Sequence, residues 1–325
     1  MRLPEVLHLT VQTHCLSASD GGEEVLIGGQ AVIEGVMMRC PHSYCVAVRR
    51  QDGELLTEDA PLAKVSEKYP AFRLPILRGL GTLGQALWLG IKALRFSADA
   101  ALPPGERARH PSGISPVLMG VNLALSLIFF IFLYKFVPLY LTTRLQASWP
   151  ALEGRIGFNL VDGLIRIALF VGFLALISLW GEIRRVFEYH GAEHRVVFNF
   201  ESGRPLSVPA AQSFSTLHPR CGTSFLMVVM LISIAAYTLL PFDSFDWRLA
   251  ARIFLLPLIA GLSYEVIRAA ARGRRRLLRL VTAPGLWLQR ITTRPPSDEQ
   301  VAVAIRALEG ALALEKAQGG ELVIA

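Results

Sequence analysis

The chain has 325 residues, of which 52% are apolar and 18% charged, with a formal net charge of +7. That length would fit two water-soluble domains, but the apolar excess and positive mean hydropathy argue against that class and for a chain largely solvated by lipid. Four cysteines in a chain of this size make no disulfide framework, and the sequence reads as a membrane protein of mainly α class.

Residues 1–24 form an extension expected to be poorly ordered, and "MRLPEVLHLTVQTHCLSASD" has no unbroken apolar core before a small-residue cleavage site, so no signal peptide is expected. Residues 25–115 are a cytoplasmic region. Within it, 25–58 alternate apolar and polar residues, and Asp52-Gly53 is a hairpin signal, which predicts a small β-unit. Residues 74–95 are apolar but interrupted by Arg78, Gln85 and Lys92, which fits an amphipathic or re-entrant helix at the inner surface better than a span. Gly79, Gly81 and Gly84 match a G-x-G-x-x-G pattern there, but no βαβ unit surrounds them and no nucleotide site is inferred.

A membrane region follows at 116–267, with about four transmembrane helices predicted at 117–141, 160–180, 224–241 and 249–267. The first carries Lys135, the second Asp162 and Arg166, and the fourth Pro257 and Glu265. Residues 1–116 hold twelve Lys or Arg, 142–159 only Arg144 and Arg155, 181–223 five, and 242–248 only Arg248. Cytoplasmic segments carry the basic excess, so both termini and the loop 181–223 are assigned to the cytoplasm. Cys15, Cys40, Cys45 and Cys221 then sit in a reducing compartment and are expected as thiols or ligands.

The last region, 268–325, opens with "RAAARGRRRLLR", six arginines from Arg268 to Arg279 just inside the final span. That position favours anionic lipid over nucleic acid as their partner. Trp287 suits a membrane interface, and Pro295-Pro296 interrupts the chain. Ser297 and Gln300 make a capping box, and Val301, Ile305, Leu308 and Leu312 form the apolar stripe of a terminal amphipathic helix that docks onto the rest of the protein.

The chemistry is concentrated in "EYHGAEHRVV", 188–197. If the second span continues past Trp180 as helix, His190 and His194 lie at i and i+4 on one face with Glu193 beside them. The H-x-x-E-H spacing is that of inverted zinc-protease sites, in which two imidazoles hold the ion and the carboxylate does acid–base work. Gly191 is expected to loosen the helix there. Further ligands are available in "LHPRCGTSF", 217–225, which supplies His218 and Cys221 before the third span. A His/His/His/Cys set, or three of these with Glu193 as ligand or catalytic base, suits a divalent metal, Zn first, with Fe or Mn as alternatives. The other interpretation of the same residues is polar loop surface with a buried, inert thiol.

The motifs "GGQAVIEGVMMR" (28–39), "RVFEYHGAEHRVV" (185–197), "LHPRCGTSF" and "PGLWLQRITTRPPSDEQVAVAI" (284–305) together resemble the YqhQ-like family of bacterial membrane proteins, over roughly residues 25–315. That family is of unknown function, and its members are labelled predicted metal-dependent enzymes. The resemblance implies a bacterial inner-membrane location and candidate polar residues at Glu34, His190, Glu193, His194, His218, Arg220 and Cys221. Arg195 stands where a lysine is common. His8, His14 and Cys15 precede the resembling region and receive no role.

Three functions fit these residues. One is a metal-dependent enzyme at the cytoplasmic membrane face, with hydrolysis as its candidate reaction. Another is a non-catalytic scaffold or regulator with a structural metal site. A transporter is the third, with Lys135, Arg166 and Glu265 as its intramembrane charges.

Overall fold

A computed structural model describes residues 27–102, 115–219, 221–241, 244–272 and 276–318; the side chains at 116, 119 and 270–282 lie outside that description. The expectations for residues 1–24, for Arg220 and for the arginine side chains from Arg272 to Arg279 therefore fall outside it.

The alternating segment forms an antiparallel four-stranded meander, β1 (Gly28–Val32), β2 (Gly35–Arg39), β3 (Ser43–Arg49) and β4 (Leu55–Pro61), paired in chain order. The expected Asp-Gly turn joins β3 to β4: Gly53 takes φ +87°, and the Glu54 N–H donates to Asp52 Oδ1 at 3.0 Å. Side chains alternate across the sheet, so Val36, Met38, Cys45 and Ala47 share one face while Val32, Met37, Tyr44, Val46 and Val48 share the other.

Besides short turns, the helices are α1 (Leu77–Ala101), α2 (Pro116–Ile131), α3 (Val137–Gln146), α4 (Arg155–Ile177), α5 (Gly181–Glu201), α6 (Val208–Gln212), α7 (Gly222–Thr238), α8 (Phe245–Phe254), α9 (Leu256–Arg272), α10 (Arg276–Thr292) and α11 (Asp298–Ala317). Both faces of the sheet are covered by helices. On the first face, α11 buries Val301, Ile305 and Leu308 beside Tyr189, Ala192 and Val196 of α5. On the second, α1 lays Leu89, Ala93 and Ala100 against the strands. The interrupted apolar segment 74–95 is thus a helix that belongs to the sheet, with Leu87 and Trp88 on its exposed side. Two of its glycines serve packing: Gly79 lies against Tyr264 and Gly81 against Phe72, where a Cβ would collide, while Gly84 faces open space.

The terminal helix has the expected capping box, with Ser297 Oγ accepting from the Gln300 N–H at 3.3 Å and Gln300 Oε1 accepting from the Ser297 N–H at 2.9 Å. Its apolar stripe is what covers the sheet.

The membrane region departs from the four expected spans. α2 and α3 join through a π-helical turn, Phe132–Phe136, and the resulting rod and the 23-residue α4 are long and apolar enough to cross a bilayer. α8 and α9 are bent by 50° at Leu255 and make at most one broken third span. Pro257 explains the break, because it cannot donate a helical hydrogen bond across the junction. α7 is a shorter apolar helix of 17 residues, at the lower limit of the length that crosses a bilayer.

A second departure concerns α4, which does not run on into the histidine motif. It ends at Ile177, Ser178 Oγ turns back onto the Ala175 carbonyl at 2.7 Å, and a separate helix starts after Trp180. The break frees α5 to leave the apolar region and pack on the sheet.

Candidate metal centre

His190 and His194 are one turn apart on α5, with ring centroids 4.4 Å from each other. Cys221 caps the N-terminus of α7, its Sγ accepting from the Thr223 N–H at 3.5 Å and lying 3.2 Å from the Thr223 hydroxyl. The three side chains converge: one nitrogen of each imidazole and the Cys221 Sγ all lie within 4.8 Å of one another. Tetrahedral bonds of ~2.0–2.3 Å would place ligand atoms roughly 3.3–3.8 Å apart, so the group needs to close by about 1 Å.

Contacts behind the rings fix which nitrogens face inward. His190 Nδ1 is 2.8 Å from the Thr292 carbonyl, and His194 Nδ1 is 2.5 Å from the Thr216 carbonyl. A carbonyl only accepts, so each Nδ1 carries the proton and each Nε2 presents a lone pair, the outer-shell arrangement of metal-ligating histidines. His190 Nε2 lies 3.2 Å from Cys221 Sγ. His194 is 2% exposed, and its Nε2 is buried with no hydrogen-bond partner. A buried lone pair without a donor costs free energy that a bound cation would recover, so these residues fit a soft or borderline divalent ion.

The electrostatics follow from burial. Burial pushes the Cys221 thiol up, but the facing His194 side chain and the Thr223 hydroxyl and N–H outweigh it, and the thiol lies below its ordinary value. Burial holds His194 below the usual imidazole value, against the opposing pull of the facing Cys221 thiol. Burial raises the Glu193 carboxyl to about 7, against the opposing pull of His190 and of the Gly29 and Ala31 backbone N–H groups.

Those two N–H groups belong to β1, an edge strand whose outward donors have no strand to meet. Glu193 supplies the acceptor. The carboxylate approaches so closely that a Cβ at Gly29 would sit 2.8 Å from Glu193 Cγ. The glycine in "GGQAV" thus permits the contact between sheet and site.

His218 stands apart from the three converging ligands. Its Nε2 is 3.5 Å from the Glu201 carboxylate, and its ring centroid is 5.6 Å from that of His194 and 4.4 Å from that of Phe198. Glu34 occupies the β1–β2 turn at φ +52° and pairs with Arg185 at 2.5 Å, with the Tyr189 hydroxyl at 3.4 Å. It therefore braces the helix that carries His190 and is not among the converging groups. Arg220 lies outside the described residues.

Gly191 does not loosen α5, which is continuous from Gly181 to Glu201. The Arg294 carbonyl packs where its Cβ would be, and the Arg294 N–H donates to the Phe187 carbonyl at 2.9 Å. The glycine lets the segment after α10 cross the helix and bring the Thr292 carbonyl to His190.

Several positioning groups were not assigned a role from sequence. Gln289 on α10 accepts from the His218 N–H and donates to the His218 carbonyl, both at 2.8 Å, which ties the loop carrying Thr216 and Cys221 to the C-terminal region. The signal was present in "PGLWLQRITT", but a glutamine in an amphipathic segment carries no mark of its contacts. The two backbone carbonyls leave no side-chain signature at all.

The family model described as a protein of unknown function, DUF1385, matches residues 74–314. The chain belongs to that family. The uncharacterized protein YqhQ of Bacillus subtilis (strain 168) is 35% identical over 297 residues, covering 89% of this chain and 92% of the relative. No solved structure matches. His190, Glu193, His194, His218 and Cys221 all fall inside the matched family segment, whereas Glu34 precedes it. Neither description assigns an activity.

Proposed function

We propose that the chain is a metal-dependent hydrolytic enzyme of the cytoplasmic membrane, with its ion held by His190, His194 and Cys221. The observation that carries this reading is the pair of Nδ1–carbonyl contacts, which leaves two imidazole lone pairs and a thiolate-prone sulfur converging on one point. With His218 turned to Glu201, three protein ligands remain, the number typical of catalytic zinc, where structural sites take four.

A divalent ion there would supply Lewis acidity toward a carbonyl or phosphoryl oxygen. His190 and His194 would orient it, Cys221 would offset its charge, and Glu193, adjacent and buried, would exchange protons with the bound substrate. The basic bias of the flanking segments supports a site at the cytoplasmic face, with both termini on the same side and the arginines from Arg268 to Arg279 on anionic lipid. In the alternative, a structural metal site, the ion would clamp α5 to the entry of α7 in a scaffold or regulator. Glu193 holding the edge of β1 is the observation that favours it.

Cobalt(II) substitution separates the two. Wild type should show a thiolate-to-metal charge-transfer band and the visible bands of a four-coordinate ion, and azide should shift them by taking an open position. Glu193→Gln should keep the bands. A spectrum unmoved by azide supports the structural site, and no thiolate band removes Cys221 from the ligand set.

A further inference from the structure

One side of α1 is taken up by the sheet, and the other has a composition that water does not select. Leu77, Leu87, Trp88 and Leu94 are 39%, 65%, 56% and 41% exposed. They fall at helical spacing on the side opposite Leu89 and Ala93, which press on the strands.

The polar residues that interrupt this segment are tied to the protein. Arg78 pairs with Glu265 of α9, and Gln85 Nε2 donates to the Ala63 carbonyl at 2.7 Å. Lys92 Nζ lies 3.0 Å from the Glu58 carboxylate and donates to the Tyr44 hydroxyl at 2.5 Å. From Leu77 to Leu94 the outward side thus presents leucine and tryptophan without a charge. A helix on a water-facing surface has the reverse pattern, polar out and apolar in.

The position of α1 says what covers that side. Its start is docked on α9, half of the bent pair that can make a third span. Ile76 packs where a Cβ on Gly261 would sit, and its N–H donates to Glu265 Oε1 at 3.3 Å. To enter the helix there Ile76 takes φ +69°, a conformation that a β-branched residue holds only when its surroundings impose it. Gly261 precedes Arg268, the first of the clustered arginines, by seven residues, or ~10 Å of helix. With those arginines at headgroup level, the first turn of α1 lies on the acyl side of them. At its other end only residues 102–115 separate α1 from α2, which opens a rod long and apolar enough to cross a bilayer. Both ends are therefore held at the membrane. Trp88, between them, is the side chain type that prefers the boundary of acyl chains and headgroups.

We propose that the outward side of α1 is a membrane seat, with Leu77, Leu87, Trp88 and Leu94 in lipid at the cytoplasmic surface while the opposite side carries the sheet. Such a helix lies in the plane of the interface with its apolar side in the boundary of headgroups and acyl chains. The proposal rests on the membrane reading of the chain and is independent of the metal ion. A second copy or another protein on the same side is the competing occupant.

Photo-cross-linking in native membranes separates these occupants. p-Benzoylphenylalanine is placed singly at Leu87, Trp88 or Leu94 of the full-length chain, and the adducts formed on irradiation are read by mass spectrometry. Leu125 on α2, 60% exposed, is the lipid-facing reference, and Glu309, exposed on α11 across the sheet, is the water-facing one. Phospholipid adducts are expected at all three α1 positions in a yield comparable with Leu125, and none at Glu309. Each replaced side chain is exposed, and if the chain probed at one position does not fold, the other two decide by the same criterion. Cross-links from α1 to a second copy or to another protein, or no lipid adduct there while Leu125 gives one, overturn the proposal. Absence of lipid adducts at Leu125 as well would overturn the membrane reading on which it rests.

Discussion

Single atoms decide how the site is assembled, and two glycines test it. At Gly191 the Arg294 carbonyl occupies the space a Cβ would need, and at Gly29 the Glu193 side chain and the Met37 carbonyl do so, each 2.8 Å away. Gly191→Ala and Gly29→Ala should each destabilise by about 1–3 kcal/mol, as overpacking does, read as a lowered thermal midpoint. The Gly191 variant should also lose metal affinity, because it displaces the Thr292 carbonyl that orients His190. Gln289→Ala leaves the buried His218 N–H and carbonyl unsatisfied and should cost about 1–3 kcal/mol, while Gln289→Glu should restore only the acceptor half. Unchanged midpoints would show that these contacts do not hold the site. At this scale His190, His194 and Cys221 were legible from their side-chain types and spacing. The carbonyls of Thr216 and Thr292 were not, because a backbone acceptor is the same in every residue.

Elements were legible where their pattern was regular. The apolar stripe and capping box of α11 marked a docked helix, and Leu308 is fully buried on the sheet. Leu308→Ala should therefore cost about 2–5 kcal/mol, measurable by thermal unfolding. The same helix carries Glu315, whose carboxylate meets Ser43 Oγ at 2.7 Å and the His42 N–H at 3.0 Å. Burial pushes this carboxyl up, but those hydrogen bonds prevail and hold it below its ordinary 4.5. Its contribution is thus present above pH 4.5 and is lost as the pH falls below that. Wild type should lose thermal stability more steeply than Glu315→Gln on acidification below pH 4.5, and equal slopes would contradict the role given to this contact. The break between α4 and α5 was hidden because "ALISLWGEI" continues the apolar run into the next helix without proline. α1 was ambiguous because its polar residues interrupt a surface that proves to be divided between sheet and solvent.

At the scale of the whole molecule, α10 and the entry of α7 join the sheet and its covering helices to the apolar helices at the candidate metal centre. The proposed topology puts that centre on the cytoplasmic side. A cysteine at position 150 or 244 should react with an impermeant thiol reagent added to intact cells, and one at 205 should not; reaction at 205 would place the centre outside. The most direct test of the central claim is elemental analysis of the protein purified in detergent without added chelator. About one divalent ion per chain is expected, lost in His190→Ala, His194→Ala and Cys221→Ser and kept in His218→Ala. No stoichiometric metal in wild type, or full retention in Cys221→Ser, would contradict the three-ligand centre.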